Sequence, residues 1–331
     1  MASLAETDKN LLGLLLDPVF ESHDTGPGHP ERPERLSALR KGLSEKDLVS
    51  RCKRIEPAEA AIKDLLSVHS KNYLDRLEFA CKSGMSYIDT TDSAICPDSF
   101  YIAKLAAGGT IEATDLVASG KLNSAFCALR PPGHHAERDY SMGFCLLNNV
   151  ALAAMRLKTL HGIGRIAIID WDVHHGNGTQ HAFDQDPGVL YISLHQSPET
   201  LFPGTGFAHE TGKGAGLGTT LNIPLPPGTG DEEYLEAFDR QAVPLLEKFA
   251  PEFLLVSAGY DAHADDPLAS LSLSLNAFSE LNQRVIRLAG EYCEGRIIAV
   301  LEGGYIPEVL IESVSVFLMM LLGEEPINQE K

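Results

Sequence analysis

Two aspartates and two histidines stand within six residues in the stretch IIDWDVHHGNG, Ile168 to Gly178. It begins as a buried strand should, with a run of Ile and Ala, and then turns abruptly polar. Side chains alternate across an extended chain, so Asp170, Asp172 and His174 face one way while Trp171, Val173 and His175 face the other. Asp172 and His174 thereby become neighbours suited to gripping one cation, and Asp261 in SAGYDAH can supply a third ligand from another strand end. Two carboxylates and one imidazole, with further positions open, suit a catalytic Zn²⁺ or Fe²⁺ better than a closed structural site. The blander account is a set of salt-bridged loop residues, but few basic residues accompany them. Buried like-charged carboxylates without a cation would be costly or would take up protons.

A second histidine pair, His134-His135, sits in RPPGHHA, a loop stiffened by Pro-Pro-Gly. Adjacent histidines alone mean little; beside a metal cluster they suit general acid–base work, because imidazole titrates near neutrality. Asp170, on the metal-facing side, can hold the outer nitrogen of one histidine. Asn177 can hold the other through a neutral amide, which leaves that imidazole less basic than an aspartate partner would. Tyr305, after Gly303-Gly304, carries a hydroxyl suited to donating to a developing oxyanion.

These groups need a scaffold, and the sequence describes one. Apolar runs recur at Leu11–Leu16, Arg51–Ile55, Ser124–Leu129, Arg165–Ile169, Val189–Leu194, Thr219–Ile223, Phe253–Ser257 and Arg296–Leu301. Helical patterns fall between many of them, at Phe100–Ala118, Asn149–Leu160, Glu232–Phe249, Ala277–Ala289 and Pro307–Leu321. Alternating helices and continuously apolar strands predict one α/β domain over residues 1–331, a mostly parallel sheet of about eight strands covered on both faces. In such sheets ligands bind beyond the carboxyl ends of the strands. RPPGHHA, DWDVHH, AGYDAH and EGGY each follow a predicted strand, so four strand ends carry chemistry.

The net charge of −19, from 46 acidic and 27 basic residues, disfavours nucleic acid and favours cationic partners. Six cysteines without a C-x-x-C pair predict reduced thiols in a cytoplasm. The acidic start MASLAETDKNLLGLLLDP is not a secretory signal, and Val314 to Leu322 is too short to span a bilayer. The expectation is a soluble cytoplasmic protein without a membrane partner; a homo-oligomer is compatible with the sequence.

Taken in order, RPPGHHA, MGFCLLNN, DWDVHHGNGTQ, YISLH, SAGYDAH and LEGGY resemble the zinc-dependent histone deacetylase superfamily, and GHPERPERLSAL resembles its N-terminal signature. The resemblance spans about residues 11–323. Trp171, Asn177 and the Pro-Pro-Gly form of the histidine loop are similar to the class II branch and its bacterial relatives. It implies the arginase/deacetylase α/β fold, with Asp172, His174 and Asp261 as zinc ligands. It also implies a proton shuttle centred on His135 and a transition-state role for Tyr305. A structural potassium ion is implied at Asp170, Asp172, His174, Ser193 and Leu194. Gly143-Phe144 and Phe202 match the walls of a narrow acyl-lysine tunnel. Leu201 stands where many members have a second aromatic, Arg35 matches an arginine of an internal channel, and Cys145 reads as a buried, inert thiol.

The implied reaction is hydrolysis of an N-acyl-lysine amide in a protein or peptide, to a free amine and a carboxylate such as acetate. Its nearest rival is an acetylpolyamine amidohydrolase, to which the acidic surface is suited. Members that prefer polyamines place an acidic gatekeeper near the position of Leu268, and this chain has leucine. A binuclear ureohydrolase and a catalytically silent acyl-lysine binder are the remaining alternatives. His134, His135 and Tyr305 argue against both.

Overall fold

The computed structural model describes residues 11–324, so the reading of the first ten residues and the outer limits of the expected domain lie outside the described residues. The strands are β1 (Leu12–Leu16), β2 (Lys53–Arg54), β3 (Ser124–Ala128), β4 (Ile166–Asp170), β5 (Val189–Gln196), β6 (Thr220–Leu225), β7 (Phe253–Ala258) and β8 (Ile297–Leu301). The helices are α1 (Glu34–Glu45), α2 (Ile62–Leu65), α3 (Lys71–Lys82), α4 (Ser99–Ala118), α5 (Asn149–Thr159), α6 (Asn177–Phe183), α7 (Asp231–Ala237), α8 (Val243–Phe249), α9 (Leu275–Tyr292) and α10 (Pro307–Leu321).

All eight strands form one sheet in the order β2-β1-β3-β8-β7-β4-β5-β6, and every pairing is parallel. The expected α/β architecture is therefore present, and it is parallel throughout rather than mostly so. Every residue of β3, β4, β5, β7 and β8 is buried, which explains their unbroken apolar runs. Helices α4 and α5 pack together, α4 over β1, β3 and β8 and α5 over β7; α1 and α9 each pack on α10. Phe317 of α10 meets Phe126 of β3 edge-on at 6.0 Å and Trp171 at 5.9 Å, which seats that helix on the sheet.

Three local expectations need correction. The run Arg51–Ile55 forms only the two-residue β2, because Val49–Arg51 is a short 3₁₀ turn. The pattern Glu232–Phe249 is not one helix: a π-helical turn at Phe238–Ala242 separates α7 from α8. Pro244, which lacks an amide hydrogen, lies at the start of α8, where that donor is not needed. Helices α1, α2, α3 and α6 go beyond the patterns read from the sequence. Ser70 caps α3 by accepting from the Tyr73 amide, and Asn148 caps α5 by accepting from the Ala151 amide. All six cysteines are free, and none of the described helices is long and apolar enough to cross a membrane.

Strand order gives the fold its functional meaning. The four strands that precede the polar motifs, β3, β8, β7 and β4, are consecutive neighbours in the sheet. Their carboxyl ends bring residues more than 100 positions apart in sequence to one place.

Candidate metal centre and active site

Strand β4 ends at Asp170, and the next turn is held by its own carboxylates. The Asp172 amide donates to Asp170 Oδ1 at 3.2 Å, the His174 amide to Asp172 Oδ1 at 2.9 Å, and the Val173 amide to Asp261 Oδ1 at 2.9 Å. Asp172, His174 and Asp261 each offer a ligand atom, and all three atoms lie within 4.8 Å of one another. His174 Nδ1 stands 3.0 Å from Asp172 Oδ1 and 3.2 Å from Asp261 Oδ2. Gly303 closes the far side. Its amide donates to Asp172 Oδ2 at 2.7 Å, and a Cβ there would meet Asp261 Oδ2 at 2.1 Å, so a side chain at 303 would displace the ligand carboxylates.

The electrostatics of this cluster fit a divalent cation. Burial opposes charge on His174, yet its hydrogen bonds to Asp172 and Asp261 outweigh that and raise the imidazole to about 10. Burial, followed by the charge of Asp172, pushes Asp261 up; Asp172 falls below the usual carboxylate range because His134 and His174 outweigh its burial. Two buried carboxylates that pull a proton so strongly onto a neighbouring imidazole are a donor set a Zn²⁺-like ion would neutralise.

A second buried group, His134, Cys145 and Glu302, has the spacing of a metal site but not the chemistry. Glu302 Oε2 already accepts from the amides of Gly133 at 2.7 Å and His134 at 3.2 Å, and its Oε1 accepts from Ser257 Oγ at 3.2 Å. Burial raises Glu302 to about 7 and drives the Cys145 thiol well above its ordinary value. With its carboxylate already satisfied by protein donors, this group is a poorer match to a metal ion than Asp172, His174 and Asp261.

The tandem histidines lie beside the first cluster with different partners. His134 Nδ1 pairs with Asp170 Oδ2 at 3.0 Å, and its Nε2 lies 3.8 Å from Asp172 Oδ1. His135 Nδ1 pairs with Asn177 Oδ1 at 2.7 Å. Burial would lower both, but the charges of Asp170, Asp172 and Glu302 lift His134 to about 10. His135 hydrogen-bonds an amide rather than a carboxylate, and burial together with the charges of His134 and His174 outweighs Asp172 and holds it well below 6.5. The pair is thus split into a proton holder and a neutral imidazole.

A cavity of about 230 Å³ opens onto these groups, lined by His134, His135, Gly143, Phe144, Phe202 and Leu268, with Asp172, His174 and Tyr305 also on its wall. It is smaller than the ~300–1,000 Å³ of drug-sized ligand sites, so a slender chain fits better than a bulky ring system. Phe202 meets the His135 ring edge-on at 5.1 Å, and Phe144 meets Tyr305 edge-on at 6.1 Å. Gly143 has φ +56° and a Cβ there would lie 2.3 Å from His135 Cδ2, so the wall needs glycine at this point. Leu201 lines the same cavity, and Phe202 remains 40% exposed at its mouth.

Tyr305 is placed by Asp266, which the motifs did not flag, and by Arg35, which the resemblance assigned to an internal channel. Its amide donates to Asp266 Oδ2 at 2.9 Å, and the Arg35 guanidinium lies 4.9 Å from its ring centroid. Arg35 is not a surface residue: it is 1% exposed, donating to the carbonyls of Glu302 and Gly304, both at 2.7 Å, and to Glu31 Oε1 at 2.9 Å. Burial, tempered by Arg35, raises the Tyr305 phenol well above 10, so its hydroxyl keeps its proton.

Asp92 also lines the cavity and was missed; its Oδ2 accepts from the Gly143 amide at 3.2 Å. It sits in a polar turn with no periodic signal. Glu302 followed an apolar strand in LEGGY, which was signal enough to have marked it. On the other side of β4, Asp170 pairs in register with Ser193. Ser193 Oγ lies 2.7 Å from His195 Nδ1, and the Leu194 carbonyl accepts from Tyr234 at 3.4 Å.

Comparison with known proteins agrees with this geometry. Residues 29–321 match the family model described as histone deacetylase domain. The chain is 44% identical to a probable deacetylase of Archaeoglobus fulgidus over 295 residues, 88% of this chain and 81% of that one. It is 40% identical to the human polyamine deacetylase HDAC10 over 305 residues, 89% of this chain and 45% of that one. The crystal structure of the HDA15 HD domain is similar at a TM-score of 0.89 and 35% identity, covering 96% of this chain and 91% of that one.

Proposed function

The chain belongs to the histone deacetylase family, and from that premise we propose that this deacetylase hydrolyses N-acyl-lysine amides in proteins or peptides, releasing the free amine and acetate. The observation that carries the reading is the narrow cavity, walled by Phe144 and Phe202, that ends on Asp172, His174, His134, His135 and Tyr305. An aliphatic lysine stem suits that channel, and the acyl group would reach the polar floor.

Asp172, His174 and Asp261 would hold the Zn²⁺, with Fe²⁺ as the other ion the donor set accommodates. When bound, such an ion polarises a carbonyl oxygen and makes water a better nucleophile near neutral pH. The chain's own groups do the rest. His135 carries its proton on Nδ1, where Asn177 Oδ1 accepts it, so Nε2 is free to take the proton of the attacking water. His134, held protonated by Asp170, keeps a positive charge beside the developing oxyanion. Tyr305 donates its hydroxyl hydrogen to that oxygen. As the C–N bond breaks, the proton taken by His135 passes to the departing amine. Phe144 and Phe202 exclude water from the acyl-lysine stem.

A potassium ion at Asp170, Ser193 and the carbonyls of Asp172, His174 and Leu194 is part of the same reading, supported by the register that sets Asp170 beside Ser193 and by the preference of hard cations for oxygen donors. An acetylpolyamine substrate is the second reading. It is favoured by Asp92, a half-buried carboxylate on the cavity wall, and by the similarity to a polyamine deacetylase. Kinetics with acetyl-lysine peptides and acetylated polyamines, at matched metal loading, separate the two. No turnover of either substrate would remove the deacylase reading.

A further inference from the structure

Asn177 poses a problem that the reaction leaves unsolved. An amide can turn either its oxygen or its NH₂ toward His135 Nδ1, and the two orientations select opposite tautomers of the imidazole. Only the orientation with Oδ1 toward His135 leaves Nε2 unprotonated and able to accept a proton at the cavity.

The structure shows what lies behind the amide. Asn177 Nδ2 donates to Glu137 Oε1 at 2.5 Å, with weaker contacts to the His135 carbonyl and Met142 Sδ, both at 3.4 Å. The same carboxylate oxygen accepts from His181 Nδ1 at 2.8 Å. Asn177 and His181 are four residues apart on α6, so both face Glu137. Glu137 is itself anchored: its amide donates to the Tyr140 carbonyl at 2.9 Å, and its carbonyl lies 2.9 Å from His69 Nδ1. The side chain of Glu137 is 22% exposed and that of His181 42%, so the chain of hydrogen bonds runs from buried His135 toward solvent.

We propose that Glu137 is a positioning residue for deacylation: its acceptor-only carboxylate fixes the Asn177 amide and, through it, the Nδ1–H tautomer of His135. A carboxylate cannot donate, so it can only be satisfied by the NH₂ of Asn177, which turns Oδ1 toward the histidine. His134 receives a carboxylate directly, from Asp170. His135 receives one at a remove, with the amide as spacer, which orients the ring without placing a negative charge against it. The tandem histidines are thereby oriented alike and charged differently. This role rests on the deacylase reading above for its kinetic consequence, but not for its structural one.

The test reverses the polarity behind the amide in the metal-loaded enzyme. Glu137→Lys puts a donor where only an acceptor stood, so the amide should turn and present NH₂ to His135. The expected result is a fall in kcat of about 10²-fold, the lower end of what a positioned acid–base group contributes, with KM little changed. In the ¹⁵N spectrum of the imidazoles, the His135 signals, identified by their loss in His135→Gln, should change from the Nδ1–H to the Nε2–H pattern. Adding Asn177→Asp restores an acceptor for both neighbours, so the double variant should recover the Nδ1–H pattern and part of kcat, the rest being lost to the negative charge now against the ring, a non-additive cycle. Should Glu137→Lys not fold, Glu137→Gln supplies the spectrum, which should then show mixed tautomers. Wild-type kcat and an unchanged tautomer in Glu137→Lys would overturn the proposal, as would a double variant no better than the single. A wild type that hydrolyses no N-acetyl amide removes the substrate reading, while the tautomer spectrum still decides the role of Glu137.

Discussion

Asp261 Oδ2 lies 3.2 Å from His174 Nδ1 across 87 residues of sequence, because β7 and β4 are hydrogen-bonded neighbours. Their register sets Asp170 beside Ser257, so the loops that follow start level with each other. The parallel sheet thus supplies the distance between ligands, and the local turn supplies their direction.

Removing either carboxylate should therefore empty the centre rather than unfold the sheet. Asp172→Ala and Asp261→Ala are each expected to lose most bound metal and activity. Loss of a mere supporting partner typically costs 10–100-fold in affinity, and a direct ligand should exceed that. Elemental analysis together with far-UV circular dichroism checks this; full metal occupancy in Asp261→Ala would take that residue out of the site.

Tyr305→Phe separates binding from chemistry. The ring would keep its place between Phe144 and Arg35 while the hydroxyl is lost. Deleting one oxyanion donor costs on the order of 10²–10³ in turnover. Metal content and the affinity of a hydroxamate should change far less. Near-normal kcat would reduce Tyr305 to a packing residue.

The strand ends were legible because chemistry contradicts burial there: Ile-Ala-Ile-Ile-Asp stops being apolar where β4 reaches the rim. The adjacency of β3, β8, β7 and β4 was not legible, since each is a short apolar run that could pair with any other. Asp92 and Asp266 escaped notice for a different reason. Their positions depend on local hydrogen bonds, from the amide of Gly143 and Thr90 Oγ1 to Asp92 and from the amides of Tyr305 and Leu268 to Asp266, that no periodic pattern encodes. Only the resemblance set Arg35 apart from a surface arginine, because α1 carries arginine, lysine and glutamate around an apolar stripe. Only the fold shows which of these turns inward.

Glu31 offers a stability test outside the metal centre. It is fully buried and pairs with Arg35 and Arg130. Burial would raise its pKa, but the charge and hydrogen bonds of Arg130, then the charge of Arg35, bring it down to about 2 from 4.5. A carboxylate lowered on folding stabilises above its unfolded pKa, and that contribution disappears as pH falls through the folded value. Glu31→Gln is therefore expected to be destabilised by ~3–5 kcal/mol near neutrality, as for a broken buried pair. The gap in Tm should narrow between about pH 4.5 and 2. A gap independent of pH across that window would mean that shape, not charge, holds the site.

The last test concerns substrate choice, and it sets Leu268 against Asp92, both on the cavity wall. Leucine can pack on the aliphatic surface of a peptide but cannot pair with the distal ammonium of a polyamine. Asp92 can, yet its carboxylate is already engaged by the Gly143 amide and by Thr90 Oγ1, which leaves it less free to recruit a cation. Acetyl-lysine peptides are therefore expected to show higher kcat/KM than acetylated spermidine or putrescine. Leu268→Glu should move that ratio toward polyamines by about fivefold, the value of ~1 kcal/mol for an exposed pair. The diffuse field of the −19 charge raises the encounter rate of any cation, so the comparison belongs at near-physiological salt, where that steering is screened. If the wild type prefers acetylpolyamines under those conditions, the argument from Leu268 fails. Asp92 then becomes the group that reads the distal charge, and Asp92→Asn should abolish the preference while leaving hydrolysis of short acetyl-lysine substrates comparatively intact.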